Sequence, residues 1–229
     1  MGINTYQQPS IFFGNLRIDE PITSLTDIFV SIVCFYAFFQ LKLYNFQSPI
    51  SNIRYYFRRY FFLMGLATLY GGIIGHAFLY KLSFSWKLPG WCLSMISMNF
   101  LERALIEYTK WIIPKKIGIF LTWLNIVELI VFLLLIIVIQ KFYLVEIHSA
   151  YGLLCIVLPF SIFLLIKSKE KIPAKFFLAA TFIMIITSII FKNKIGLSPW
   201  FNHNDIAHLL MCLAGLFFYW GSKKIQLKN

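Results

Sequence analysis

Seven long apolar segments, separated by short polar loops, constrain this 229-residue chain more than any other feature. A bilayer core about 30 Å thick requires about 20 apolar residues per helix. Charged residues make up only 13% of the chain, whereas soluble domains contain roughly a quarter. The sequence therefore predicts an all-α, polytopic membrane protein, a single seven-helix transmembrane bundle over residues 1–229. The predicted spans are about 21–43, 56–80, 89–112, 117–139, 142–166, 174–191 and 202–220.

The basic residues predict the orientation of the bundle. If the spans alternate in direction, fourteen of the 21 Lys and Arg residues lie in one set of loops and six in the opposite set, with Arg103 inside a span. Basic loops stay in the cytoplasm during insertion, so we expect the N-terminus outside and the C-terminus inside, in a bacterial inner membrane. These loops and anionic lipid explain the net charge of +12, which therefore does not indicate a nucleic-acid partner.

A polar layer is predicted near the outer end of the bundle, where three distant spans place ionisable side chains at similar depth. At about 1.5 Å per residue, Asp27 of span one, His76 of span two and His208 of span seven lie on the order of 6–10 Å below the outer boundary. Span one also carries a polar stripe from Glu20 through Asp27, which we expect to face the bundle interior. Ionisable residues are costly inside a membrane and usually have a function.

The last span opens with Asn202-His203-Asn204-Asp205-Ile206-Ala207-His208. Asp205 and Asn204 precede His208 by about one helical turn, so they can share its face. One interpretation is a capped helix start, in which Asn202 or Asn204 caps the helix and Asp205 stabilises its dipole. Capping alone gives no account of His208.

The other interpretation is a metal centre, since zinc takes three or four His and carboxylate ligands. His76, His208 and either Asp205 or His203 would supply such a set. Asp27 or Glu20 would orient a ligand or act as acid or base.

A second polar group lies near the middle of spans three and four, and its members are Asn99, Glu102, Arg103, Asn125 and Glu128. We expect Arg103 to pair with Glu107 one turn on, or with Glu128 across helices, as a buried ion pair that fixes helix packing. A proton or substrate pathway is the alternative. His148, near the outer start of span five, is expected to lie at the membrane interface.

This arrangement resembles the superfamily of alkaline ceramidases and progestin/adiponectin-type receptors. Glu20-Pro21 with Thr26-Asp27, together with Phe201 to His208, is similar to an uncharacterised bacterial branch near that superfamily. The resemblance implies a membrane-embedded, zinc-dependent hydrolase or a relative of one, with His76 and His208 at ligand positions.

The chain departs from the ceramidase pattern at three places. Gly72 stands where the ceramidases have serine, Asn204 stands where they have histidine, and residues 89–98 contain no carboxylate. Ceramidase activity itself is therefore not expected.

The leading hypothesis is a zinc-dependent integral-membrane hydrolase that cleaves an amide or ester bond of a membrane lipid. One alternative is a non-enzymatic bundle, either receptor-like or sensor-like, with a structural metal or polar site, and another is a transporter. A further alternative is a b-type haem protein, in which His76 and His208 would be the axial ligands.

Overall fold

The computed structural model describes residues 8–41 and 49–226, and helices dominate this part of the chain. The helices are α1 (Pro21–Gln40), α2 (Pro49–Tyr70), α3 (Leu88–Thr109), α4 (Lys115–Ile139), α5 (Tyr143–Tyr151), α6 (Leu158–Lys167), α7 (Ile172–Lys192) and α8 (His203–Lys223). A π-helical segment, Gly71–Ala77, continues α2, and a second one, Gly152–Val157, joins α5 to α6. Because α5 and α6 form one continuous segment, the described residues form seven long helical segments at the predicted positions.

Six of these segments are long and apolar enough to cross a membrane, by the composition of the described residues. The exception is α3, because Glu102, Arg103 and Glu107 lower its hydropathy. On α4, Phe120 and Val138 are 64% and 81% exposed. Such an apolar surface is a liability in water but is expected against lipid. The prediction of an all-α fold is confirmed, and six of the helical segments have the length and composition of membrane spans.

The start of α2 differs from the prediction. The helix begins at Pro49, earlier than the expected residue 56, because Arg54, Arg58 and Arg59 interrupt the apolar pattern without ending the helix. Arg58 donates to the backbone oxygen of Leu41 and its guanidinium lies 4.3 Å from the Phe38 ring centroid. The predicted end of span one at residue 43 lies outside the described residues.

A short hairpin precedes α1 and was not predicted. Strands β1 (Ile11–Phe13) and β2 (Leu16–Ile18) pair in antiparallel fashion. The turn between them contains Gly14 at φ 58°, a conformation that glycine adopts without steric cost. Three-residue strands are too short to show the alternating pattern that identifies a strand in a sequence.

Aromatic side chains form much of the core. Phe57 of α2, Phe177 of α7 and Phe218 of α8 are almost completely buried, and the Phe57 and Phe177 rings stack at 5.3 Å. Helix α1 packs against both α2 and α8.

The backbone N–H of Asp19, just before α1, donates to the backbone oxygen of Ala77 at the end of the first π-helical segment (3.1 Å). The start of α1, the end of this segment and the start of α8 therefore lie at one end of the bundle.

Candidate functional site

Helix α8 begins with a capping box, in which Asn202, one of the two predicted caps, is the cap residue. The Asn202 side chain accepts from the Asn204 N–H (2.8 Å), and the Asp205 carboxylate accepts from the Asn202 N–H (2.7 Å). Asp205 is fully buried and also accepts from the Thr23 hydroxyl of α1 (2.8 Å) and the Gln8 amide (3.3 Å). These donors support the capping interpretation, and Asp205 ties the start of α8 to α1. Metal ligation by Asp205 stays a prediction.

His208 lies about one turn further along α8 and contacts α1. Its Nδ1 is 3.0 Å from the Thr26 hydroxyl, and its Nε2 is 3.4 Å from Asp27 Oδ1. The Thr26 hydroxyl donates its proton to the backbone oxygen of Thr23 (3.0 Å). With its one proton given to Thr23, the hydroxyl accepts from His208 in the tautomer that carries its proton on Nδ1. In the neutral ring, Nε2 then carries the lone pair that faces Asp27.

His76, in the first π-helical segment, faces the same carboxylate from the other side. Its Nδ1 is hydrogen-bonded to Glu20, and its Nε2 is 3.9 Å from Asp27 Oδ2. Burial raises the pKa of Glu20, but the hydrogen bond and charge of His76 hold that pKa below its ordinary value. Glu20 is therefore a carboxylate that accepts the Nδ1–H of His76. The Nε2 of His76 is left facing Asp27.

Two glycines allow Asp27 to come this close to the π-helical segment. A Cβ at Gly72 would lie 2.9 Å from the backbone oxygen of Ser24 and 3.1 Å from Asp27 Cβ, and one at Gly71 would lie 3.0 Å from Asp27 Oδ2. A Cβ at Gly75 would meet nothing within 4 Å. Gly71 and Gly72 thus make room for α1. π-Helical turns are rare and occur frequently at functional sites.

The outer cluster, defined as Glu20, Asp27, His76 and His208, has the donor types of a zinc site. Each proposed ligand histidine has its Nδ1 held by an acceptor, as metal-binding histidines usually do. With bonds of about 2.0–2.1 Å to a tetrahedral ion, neighbouring ligand atoms lie about 3.3–3.5 Å apart. The contact of His208 with Asp27 at 3.4 Å matches this separation, and that of His76 at 3.9 Å is longer.

The ligand atoms of His76, His208 and Asp27 do not all face one common point. His76 and His208 contact different oxygens of Asp27, and their ring centroids are 6.2 Å apart. Among the described residues, the one group of three whose ligand atoms all lie within 4.8 Å of one another is Glu102, Glu128 and His148. The ring of His203, another predicted ligand, packs against Phe191 of α7 at 5.6 Å.

A cavity of about 350 Å³ lies beside the outer cluster and is lined by Glu20 and His76. Its wall also contains Arg17, Asp19 and Lys87. Burial lowers the pKa of Lys87, and the charge of Glu20 partly opposes this shift. The cavity gives a polar molecule access to the Glu20 side of the cluster.

In the deeper polar group, Arg103 lies as expected, whereas His148 does not. Arg103 pairs with Glu107 (3.8 Å), one of its two predicted partners, and also donates to Asn125 (3.0 Å). Glu128 instead contacts His148 (3.3 Å), which is fully buried. The prediction that His148 is interfacial was therefore wrong, because its ring faces α4. Gly152, one turn later, marks close packing against Glu102 of α3, but it does not identify Glu128 as the partner of His148.

Fold and site together define a class of protein, a helical membrane bundle with a histidine–carboxylate cluster at one end. The model of a family of unknown function (DUF6962) matches residues 22–227, and the chain belongs to this family. No curated protein and no solved structure matches the chain.

Proposed function

We propose that this protein is a zinc-dependent hydrolase that cleaves an amide or ester bond of a membrane lipid, and that it is a distant relative of the ceramidase and receptor superfamily. One observation supports this most. His76 and His208, from separate helices, present Nε2 atoms to the same carboxylate, Asp27, while Glu20 and Thr26 hold their Nδ1 atoms.

The proposal includes seven spans, with the N-terminus outside and the C-terminus inside a bacterial cytoplasmic membrane. The asymmetry of the basic loops supports the orientation. Helix α3 can be the seventh span because Glu102 is fully buried and Arg103 donates to Asn125 of α4, so these polar groups avoid lipid. This topology places the outer cluster near the external surface, where a lipid head group can reach it.

In this proposal, His76, His208 and Asp27 hold the zinc ion, and Asp205 and His203 are the other ligand candidates. Zinc when bound would lower the pKa of a water molecule and polarise a carbonyl group. Glu20 and Thr26 fix the two rings in the tautomer that leaves Nε2 available. Glu20 also lines the cavity, and this position makes it the candidate base that takes a proton from water.

A non-enzymatic receptor-like, sensor-like or transport bundle is the second candidate. It is favoured by the 3.9 Å contact of His76 and by the different oxygens of Asp27 that the two rings meet. A b-type haem is disfavoured, because the Asp27 carboxylate lies between the two Nε2 atoms, where the porphyrin would have to lie.

Hydrolysis by the purified, zinc-loaded protein tests the proposal, with lipid amides and lipid esters as substrates. Asp27→Asn and His208→Ala should each lower the rate by at least about 100-fold. The matched control is Glu146→Gln, which changes an exposed carboxylate on α5 and should keep the wild-type rate. Hydrolysis that survives both cluster substitutions would refute the proposal. Zinc binding without hydrolysis of either substrate class would favour the second candidate.

A further inference from the structure

A second group of ionisable side chains lies inside the bundle, away from the outer cluster. Glu102 of α3, Glu128 of α4 and His148 of α5 each offer a ligand atom, and these atoms lie within 4.8 Å of one another. Glu102 and His148 are fully buried, and the Glu128 side chain is 8% exposed. We refer to these three residues as the inner cluster.

The polar atoms of the inner cluster are unusually short of partners. Within the described ranges, Glu102 Oε1, both carboxylate oxygens of Glu128 and both ring nitrogens of His148 are buried without a hydrogen-bond partner. Buried polar atoms are nearly always hydrogen-bonded. The His148 Nε2 and Glu128 Oε1 atoms are 3.3 Å apart, but their orientation does not make a hydrogen bond. Several unpaired atoms that meet at one point indicate a ligand that binds between them.

The separation and the charge both suit a metal ion. A contact of 3.3 Å equals the separation of neighbouring ligand atoms around a tetrahedral ion with bonds of about 2.0–2.1 Å. As metal ligands, two ionised carboxylates and a neutral imidazole would carry a double negative charge, which is costly in a low-dielectric interior. A divalent cation would neutralise it.

The surrounding residues position the inner cluster for such an ion. Asn125 donates to Glu102 Oε2 (3.0 Å), and Arg103 donates to the Asn125 side-chain oxygen (3.0 Å). This chain fixes Glu102 and leaves its Oε1 free to bind. A Cβ at Gly152 would collide with Glu102 Oε1, so the glycine provides the necessary space. The Phe132 ring packs edge-on against His148 at 5.3 Å and excludes water from that side.

We propose that Glu102, Glu128 and His148 form a structural site for a divalent transition-metal ion that joins α3, α4 and α5. The imidazole ligand favours zinc or a similar metal over Mg²⁺ and Ca²⁺, which prefer oxygen ligands. This site is independent of the proposed hydrolysis, since it shares no residue with the outer cluster.

Zinc content tests the inner site when the outer site is removed first. The His208→Ala protein, stripped with chelator and reloaded with Zn²⁺, should retain one zinc ion per chain. Adding Glu128→Gln, a substitution of nearly equal volume, should remove this ion. Adding the exposed-surface control Glu146→Gln should leave it bound. Chelation should lower the unfolding temperature of the His208→Ala protein by about 5–10 °C, as expected for loss of a ligand held well above its dissociation constant.

X-ray absorption at the zinc edge gives a second readout that needs no inner-cluster substitution. The spectrum of zinc-loaded His208→Ala protein should show one imidazole and otherwise oxygen ligands, without sulfur. Equal zinc content in His208→Ala and the double variant, or two imidazoles in the spectrum, would overturn the proposal. Zinc that is lost entirely in His208→Ala would overturn the inner site and leave the proposed function standing. If His208→Ala keeps the zinc content of the wild type and the double variant loses zinc, the result would support the inner site and contradict the outer one.

Discussion

Gly72 and Gly75 form a matched pair of substitutions that tests how α1 meets the first π-helical segment. Both glycines lie in the segment Gly71–Ala77, and neither has a positive φ. Alanine is therefore compatible with the backbone at either position. The two sites differ in the space available, because a Cβ at Gly72 would lie 2.9 Å from the Ser24 backbone oxygen, whereas a Cβ at Gly75 would meet nothing within 4 Å.

The expected magnitudes follow from this difference. Replacing glycine by alanine at a compatible site stabilises a protein by about 0.4–1 kcal/mol, because the unfolded chain loses conformational freedom. Overpacking costs about 1–3 kcal/mol, and the obstacle at Gly72 is backbone, which cannot rotate away. We expect Gly75→Ala to stabilise the protein slightly and Gly72→Ala to destabilise it. The entropy gain is common to both variants, so at about 2–4 °C per kcal/mol for a chain of this size the unfolding temperatures should differ by about 2–12 °C.

Thermal unfolding in one detergent, at one heating rate and followed by tryptophan fluorescence, measures the difference. Gly72→Ala should also weaken zinc binding, because α1 carries Asp27 and must move away from His76. If the two variants unfold at the same temperature, or if Gly72→Ala is the more stable, the close approach of α1 to this segment is refuted.

Two further predictions concern the same end of the bundle. Burial raises the pKa of Asp19, but hydrogen bonds from Arg17 and Ser10 outweigh this effect, so the pKa in the folded protein lies below the ordinary value of 3.8. The stabilisation by Asp19 should therefore be fully present above the pKa of the unfolded chain. It should disappear as the pH falls through the pKa of the folded protein. The unfolding temperatures of wild type and Asp19→Asn should thus differ at neutral pH and converge in acid, and a constant difference would contradict this. Asp205→Ala should lower the free energy of unfolding by about 2–3 kcal/mol, because the buried hydroxyl of Thr23 and the N–H of Asn202 lose their acceptor. Chemical unfolding measures this change, and a decrease below about 0.5 kcal/mol would contradict the capping role.

The sequence predicted the helices well because each apolar run is about as long as a membrane span. The boundaries of α4 and α7 lie within about two residues of the prediction. The early start of α2 could not be read from hydropathy, since Arg58 stabilises the helix through tertiary contacts with Leu41 and Phe38. Such contacts do not appear in a local pattern.

The outer cluster was predictable in part. Equal depth identified Asp27, His76 and His208, and the structure brings them together. Depth alone could not show that Glu20 and Thr26 hold the two rings, because this depends on how α1 is rotated. Nor could it show that His148 faces Glu128, since a single histidine in an apolar helix gives no information on which neighbour it meets.

Zinc content of the outer cluster tests the central claim most directly. Wild-type protein, His208→Ala and Asp27→Asn should be stripped, reloaded with Zn²⁺ and analysed for metal and for visible absorption. We predict that each substitution removes one zinc ion per chain, and that Thr26→Val weakens zinc binding by about 10–100-fold. Wild-type zinc content in both His208→Ala and Asp27→Asn, or a Soret band lost in His208→Ala, would contradict the account.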